Sequence, residues 1–168
     1  MNDDKQETIP NLSLVTSADM AADKISFYDT SAAATRSILF DKITAFTERT
    51  LVIKCVADTI SPSVGNGITH VTIPSTLDGK NLQSAQAHVY TVGTGSTTTV
   101  QLHNLTDGYD MLSTPITIDA SEKDSSTAAT PSVVGSYSLV STADVIRIDV
   151  DVVATNTLGL EVRMVFNT

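Results

Sequence analysis

Three histidines are the residues of this chain best suited to ligate a metal ion or to transfer a proton. His88 and His103 flank the Gly-rich segment Gly93–Ser96, and the sequence on both sides of it alternates in polarity as strands do. We therefore predict a hairpin across Gly93–Ser96, with His88 and His103 as diagonal neighbours on one face. A third ligand is not evident in the sequence, so we interpret this face as a surface and not as a metal site.

The two faces of the predicted hairpin differ in composition. Val89, Val100 and Leu102 are expected to pack inside, together with Ala87. The polar face is expected to meet solvent, a sister subunit or a glycan, and its candidate contact residues are Gln86, His88, Tyr90, Gln101 and His103.

Asp149 and Asp151 form the most suggestive pair of carboxylates. Their spacing puts both on one face of a predicted strand, as a carboxylate pair for glycoside hydrolysis would require. Arg147 and Arg163 lie at neighbouring outward positions, so a surface ladder of alternating charge is the interpretation that we prefer.

Loop carboxylates are the other candidates for ion binding. Asp107, Asp110, Asp119, Glu122 and Asp124 are expected to cluster at one end of the fold. Carboxylate-rich loops can bind calcium, but these lack the regular spacing of a calcium loop. We therefore predict solubilising loops.

The sequence contains no motif that pairs a nucleophilic side chain with a general base. Cys55 is the one cysteine, which excludes an intrachain disulfide and a Cys-based zinc site. It alternates with Leu51 and Ile53, so a buried thiol is predicted. The chain contains no Gly-x-Ser-x-Gly motif and no phosphate loop. We predict a protein that is not an enzyme and has no cofactor.

The net charge of −9 bears on the partners. It argues against nucleic acid and against an anionic membrane surface, because both favour basic proteins. The first residues are polar and acidic, unlike a signal peptide, and no stretch approaches the ~20 apolar residues of a membrane span. Synthesis in a cytoplasm is expected.

From residue 51 onwards the sequence predicts strands only, including Met111–Ile118, an edge or bulged strand because of Pro115. The clearest alternation lies in Asp144–Val152 and Leu160–Phe166, which predict a second, half-buried hairpin. Its inward residues are Ile146, Ile148, Val150, Val152, Leu160, Val162, Met164 and Phe166. About eight short strands predict an all-β fold, an antiparallel sandwich of the jelly-roll type.

Three regions are predicted: an extended arm (1–16), a small module (17–50) and the sandwich (51–168). The module combines strands at Lys24–Asp29 and Arg36–Phe40 with a short helix from Asp41. Because about 30 residues cannot bury their own apolar faces, the module needs the main domain or other subunits. Its candidate docking residues are Ile25, Phe27, Tyr28, Ile38, Phe40, Ile43 and Phe46.

Three stretches resemble bacteriophage virion proteins. Ser17–Ile43, with Asp23-Lys-Ile-Ser-Phe-Tyr-Asp29, resembles modules near the attachment ends of phage tail fibres. Val100–Thr127 and Asp144–Phe166 are similar to a sandwich domain of phage fibre, head-surface and decoration proteins. The resemblance implies a virion component, usually a homotrimer, whose N-terminal region docks onto other capsid or tail proteins and whose sandwich is displayed outward. It transfers no catalytic residue.

The chain departs from long fibres because it is short and lacks coiled-coil heptads and β-helical repeats. This favours a small decoration (cement) protein or a short fibre or adaptor. The alternative is a carbohydrate-binding jelly-roll module that recognises a host-surface glycan. The few aromatic residues suited to stack on a sugar are Tyr90, Tyr109 and Tyr137.

Overall fold

The computed structural model describes residues 24–29, 34–39 and 48–167. The chain divides into two compact units, Met1–Ala45 and Phe46–Thr168, and each is described by itself. The predicted arm and the predicted helix from Asp41 lie outside the described residues, as do the docking candidates Phe40, Ile43 and Phe46.

The first unit contains an antiparallel pair of strands, β1 (Lys24–Asp29) and β2 (Ala34–Leu39). Both predicted strands are confirmed, and β2 begins two residues earlier than expected. The register places Ile25 opposite Ile38 and Phe27 opposite Arg36. A two-stranded hairpin is at best marginally stable in water by itself.

The regular secondary structure of the second unit is almost entirely β-strand. They are β3 (Arg49–Val56), β4 (Gly65–Thr72), β5 (Lys80–His88), β6 (Thr98–Asn104), β7 (Tyr109–Asp110), β8 (Leu112–Thr114), β9 (Ile116–Ile118), β10 (Val133–Val134), β11 (Leu139–Val140), β12 (Val145–Val152) and β13 (Leu160–Asn167). Single 3₁₀ turns lie at Ser75–Leu77 and Ser125–Thr127. Within the described ranges, no helix has the length and apolar character needed to cross a membrane.

Met111–Ile118 is not one strand. It is divided at Pro115 into β8 and β9, which pair with β10 and β6 respectively. Proline lacks the N–H group that would continue the ladder, so the chain changes its partner there.

The sheets have the strand order of a jelly roll. One sheet runs β11-β5-β13-β3, and the other runs β4-β12-β6, with β7 and β9 both pairing with β6. Eight of these strands therefore pair first with last: β3 with β13, β4 with β12, β5 with β11, and β6 with β9, all antiparallel. This order confirms the predicted sandwich.

Both predicted hairpins are wrong, for the same reason. β5 and β6 lie in different sheets, and so do β12 and β13. In a jelly roll most consecutive strands cross from one sheet to the other, whereas the alternation of a strand defines only its buried face. The two connections instead contact each other, through bridges that join Thr91 to Leu158 and Thr94 to Thr155.

A single core fills the space between the sheets. The predicted inward residues are confirmed, each 2% exposed or less, for Ala87, Val89, Val100, Leu102, Ile146, Ile148, Val150, Leu160, Val162, Met164 and Phe166. Val152 is the exception at 41% exposure, because the register of β12 against β6 shifts between Val150 and Val152. Cys55 is partly buried against this core, and desolvation raises the pKa of its thiol to about 11.

Candidate functional site

The polar residues of the predicted hairpin do not form one surface. Gln86 and His88 lie on β5, whereas Gln101 and His103 lie on β6 in the opposite sheet. The outer faces of a sandwich look away from each other, so His88 and His103 are not neighbours. All four side chains avoid the core as predicted: His88 is exposed and the others are half-buried.

The outer face of β5 and β13 carries a shallow polar cleft of about 280 Å³, which includes His88, Asp124 and Glu161. Arg163 donates through Nη2 to Gln86 Oε1 across it. Burial acts to raise the pKa of Asp124, but hydrogen bonds from Ser126 outweigh it, and the pKa is lowered. Gln86, Arg163 and Asp124 of this cleft are thus paired within the protein.

On the other sheet, Arg147 and Asp149 form a bidentate ion pair, with Nε–Oδ1 and Nη2–Oδ2 distances of 2.8 Å. Gly67 N–H also donates to Asp149 Oδ1 at 2.6 Å. Asp149 lies beside Arg147 on the outer face, but these contacts leave it 4% exposed, so the predicted surface ladder of charge is wrong at this position. Its oxygens hold β4 against β12, so this carboxylate is committed to the structure rather than to paired acid–base chemistry with Asp151.

The loop carboxylates are also not clustered as expected. Asp110 pairs with His103 at the end of β6, whereas the loop that contains Asp119 and Glu122 follows β9, which pairs with the start of β6. Asp119 accepts from Ala129 N–H (2.8 Å), and Glu122 accepts from the Thr127 hydroxyl (2.6 Å). Within residues 48–167, no three His, Cys, Asp or Glu side chains are grouped to hold a metal ion.

The structure brings together two of the three candidate tyrosines. Tyr109 and Tyr137 stack with ring centroids 4.1 Å apart and planes 9° from parallel. They border a cleft of about 230 Å³, here called the aromatic cleft, which is lined by Asn104, Asp107, Tyr109, Ser136, Tyr137, Leu139 and Ser141. Sequence reasoning named both tyrosines, and Asp107 as a loop carboxylate, but not the other lining residues, since these come from segments that only the topology brings together.

Tyr90 belongs to the other end of the sandwich. It lies two residues beyond the end of β5, whereas Leu139 in the aromatic cleft pairs with Asn81 at the start of β5. A strand of this length spans about 30 Å. Tyr90 faces Lys123, whose Nζ lies 5.7 Å from the ring centroid. The three tyrosines therefore do not form one platform.

A buried polar network supports one side of the aromatic cleft. Asn104 is 3% exposed and donates through Nδ2 to Asp107 Oδ2 (3.0 Å) and to Asp144 Oδ2 (3.1 Å). Asn104 Oδ1 accepts from the N–H groups of Thr106 and Asp107. Asp144 also accepts from Ser141 N–H at 2.8 Å. These bonds join the turn after β6 to the turn before β12.

By its fold, this protein is an acidic jelly-roll protein that has a two-stranded hairpin in a separate unit. Comparisons with protein-family models, with curated proteins and with solved structures gave no match to this chain.

Proposed function

We propose that this protein is a structural component of a bacteriophage virion, a homotrimeric surface subunit that decorates or cements the capsid or forms a short fibre or adaptor. The N-terminal region docks to other virion proteins, and the jelly roll is displayed outward. The observation that carries the proposal is the division of the chain into a unit containing a two-stranded hairpin and a separate jelly roll with its own core.

The hairpin supports a docking role because two strands alone do not bury enough apolar surface to be stable. Its register sets Ile25 opposite Ile38, and we propose that this apolar pair contacts another virion protein. The jelly roll supports the second half of the proposal, since viral capsid proteins are among the proteins that use this architecture. The net charge of −9 favours solubility at the high subunit concentrations that precede assembly.

The separation of the polar candidates fits a ring of subunits. A closed trimer is held by a heterologous interface, in which two different surfaces of each copy meet. Gln86 and His88 on one sheet, and Gln101 and His103 on the other, supply two such surfaces. We propose that the outer face of β5 in one copy meets the outer face of β6 in the next.

The test is attachment to phage particles that lack the protein. The full chain and a variant without residues 1–46 are each mixed with these particles, sedimented and quantified, and their oligomeric states are measured by light scattering. We expect the full chain to attach as a trimer. The truncated jelly roll should remain soluble and stay in the supernatant. Attachment of the truncated variant would contradict the assigned roles.

A matched pair of point variants separates docking from general disruption. Ile25→Asp should abolish attachment because it puts a charge into the apolar pair. Ser26→Asp adds the same charge at the next position of β1 but outside this pair, so it should still attach. Equal attachment of both variants would argue against docking through the Ile25–Ile38 pair.

A further inference from the structure

The aromatic cleft exposes three large side chains with apolar surface. Tyr109, Tyr137 and Leu139 are 46%, 58% and 55% exposed. Stacking covers one face of each tyrosine ring, while the remaining ring surface and the leucine side chain stay in contact with water. Neighbouring exposed apolar side chains that are rimmed by polar residues are a feature of binding sites.

The walls of the aromatic cleft are held before any ligand arrives. On the Tyr137 side, Gly135 N–H donates to the Met111 carbonyl and Leu82 N–H donates to the Ser138 carbonyl, both at 2.8 Å. These two bonds fix the chain on either side of Tyr137. On the Tyr109 side, the network around Asn104 holds the preceding turn. A site that is already ordered loses little conformational entropy on binding.

The polar groups of the aromatic cleft define the chemistry of its ligand. Asn104 is saturated, since both of its Nδ2 hydrogens and its Oδ1 are used inside the protein. The hydroxyls of Ser136, Ser141 and both tyrosines have no hydrogen-bond partner among the described residues, and Asp107 accepts from Asn104 with only one of its oxygens. Several hydroxyls and a carboxylate oxygen thus remain for a ligand.

The charge of the site excludes anions as preferred ligands. Asp107 is the one charged residue among those lining the cleft, and Lys, Arg and His are absent from that set. A phosphate, sulfate or carboxylate group would meet a negative charge without a compensating cation. A ligand that combines an apolar face with uncharged hydrogen-bonding groups fits this lining.

We infer that the aromatic cleft is a binding site for a neutral saccharide. A sugar ring has an apolar C–H face that packs on an aromatic ring, and its equatorial hydroxyls both donate and accept hydrogen bonds. At about 230 Å³ the cleft is smaller than the ~300–1,000 Å³ sites of drug-sized ligands, which suits a single terminal sugar ring. The inference is carried by the cleft itself and does not rest on the proposed role in a virion.

The test is binding of the full chain to immobilised neutral oligosaccharides with terminal hexose or N-acetylhexosamine, beside sialylated and sulfated counterparts. The protein should bind the neutral glycans in preference to the anionic ones. The inference would be overturned if the protein bound no neutral glycan or if it preferred the anionic glycans. It would also be overturned if the protein bound only to proline-rich peptides immobilised on the same surface.

Variants locate the site. Tyr137→Ala should weaken binding of the best neutral glycan by about tenfold, since it removes one stacking ring. Asp107→Asn should weaken it several-fold without loss of fold, because this side chain is exposed. Tyr90→Ala is the matched control: Tyr90 is 54% exposed but lies outside the cleft, so binding should be unchanged. Unchanged binding in the Asp107 and Tyr137 variants, or its loss in the Tyr90 variant, would refute this location.

The proposed role in a virion and the proposed saccharide site can be refuted independently of each other. A protein that attaches to particles but retains no neutral glycan refutes only the saccharide site. A protein that retains neutral glycans but does not attach refutes only the structural role.

Discussion

Replacing Asn104 with alanine should destabilise the jelly roll more than any other polar substitution on β6. Asn104 is 3% exposed, and its amide makes four hydrogen bonds. Two of these are accepted from N–H groups on an exposed turn, where water can replace the lost oxygen. The bond to the buried carboxylate of Asp144 has no such replacement.

The expected loss in the free energy of unfolding follows from these contacts. A hydrogen bond to a charged group contributes about 1.5–3 kcal/mol, and the bond to exposed Asp107 adds less. We expect Asn104→Ala to lower the free energy of unfolding by about 2–4 kcal/mol. With a urea slope of about 2 kcal/mol/M, the midpoint of unfolding falls by roughly 1–2 M.

Urea-induced unfolding followed by far-UV circular dichroism measures this loss; tyrosine fluorescence serves as a second probe, since the chain has no tryptophan. Thr99→Ala is the matched control, because Thr99 is a half-buried, outward residue of the same strand, and it should cost about 0.5 kcal/mol or less. A double-mutant cycle with Asp144→Ala isolates the pair. Equal losses in the Asn104 and Thr99 variants, or no coupling in the cycle, would refute the reasoning.

Two further predictions follow from other contacts. Gly93→Ala should cost about 1–3 kcal/mol in urea unfolding, because a Cβ there would lie 2.3 Å from Ala154 Cβ. Gly135→Ala is the comparison, since a Cβ there would meet its nearest atoms at 3.4 Å, and equal losses would contradict the clash. Hydrogen bonds from Ser126 lower the pKa of Asp124 in the folded state from 3.8. The ionised carboxylate therefore contributes fully to stability above pH 3.8, and this contribution is lost as the pH falls through the pKa of the folded state. The stability gap between wild type and Asp124→Asn should therefore narrow between pH 7 and pH 2.5, and a constant gap would contradict this assignment.

The fold class could be predicted because strand patterns encode burial. Leu160, Val162, Met164 and Phe166 alternate with Glu161, Arg163 and Val165, and all four are fully buried. Strand pairing could not be predicted in the same way. Alternation in β5 and β6 is equally compatible with one sheet and with two, and the Gly-rich segment between them looks like a hairpin turn in either case.

Asp149 shows a second limit of sequence patterns. By alternation it belongs to the outer face, and its neighbours in sequence predict a solvated charge. It is buried because Arg147 folds over it and because Gly67 N–H, 82 residues away, donates to it. A long-range backbone donor leaves no trace in the local sequence, so the exposure of a charged strand residue depends on the neighbouring strand as much as on its own position.

The correction of the two hairpins also changes where a ligand site is to be sought. A hairpin across Gly93–Ser96 would have gathered the polar residues of β5 and β6 around Tyr90. In the jelly roll those strands separate, and loops from distant parts of the sequence meet at the end of the sandwich opposite Tyr90. Tyr109 and Tyr137 are 28 positions apart in the sequence, but their rings stack. Tyr109 is placed by the pairing of β7 with the end of β6, and Tyr137 lies just before β11, which pairs with the start of β5. The saccharide site thus follows from the same crossing of strands between sheets that made the predicted hairpins wrong.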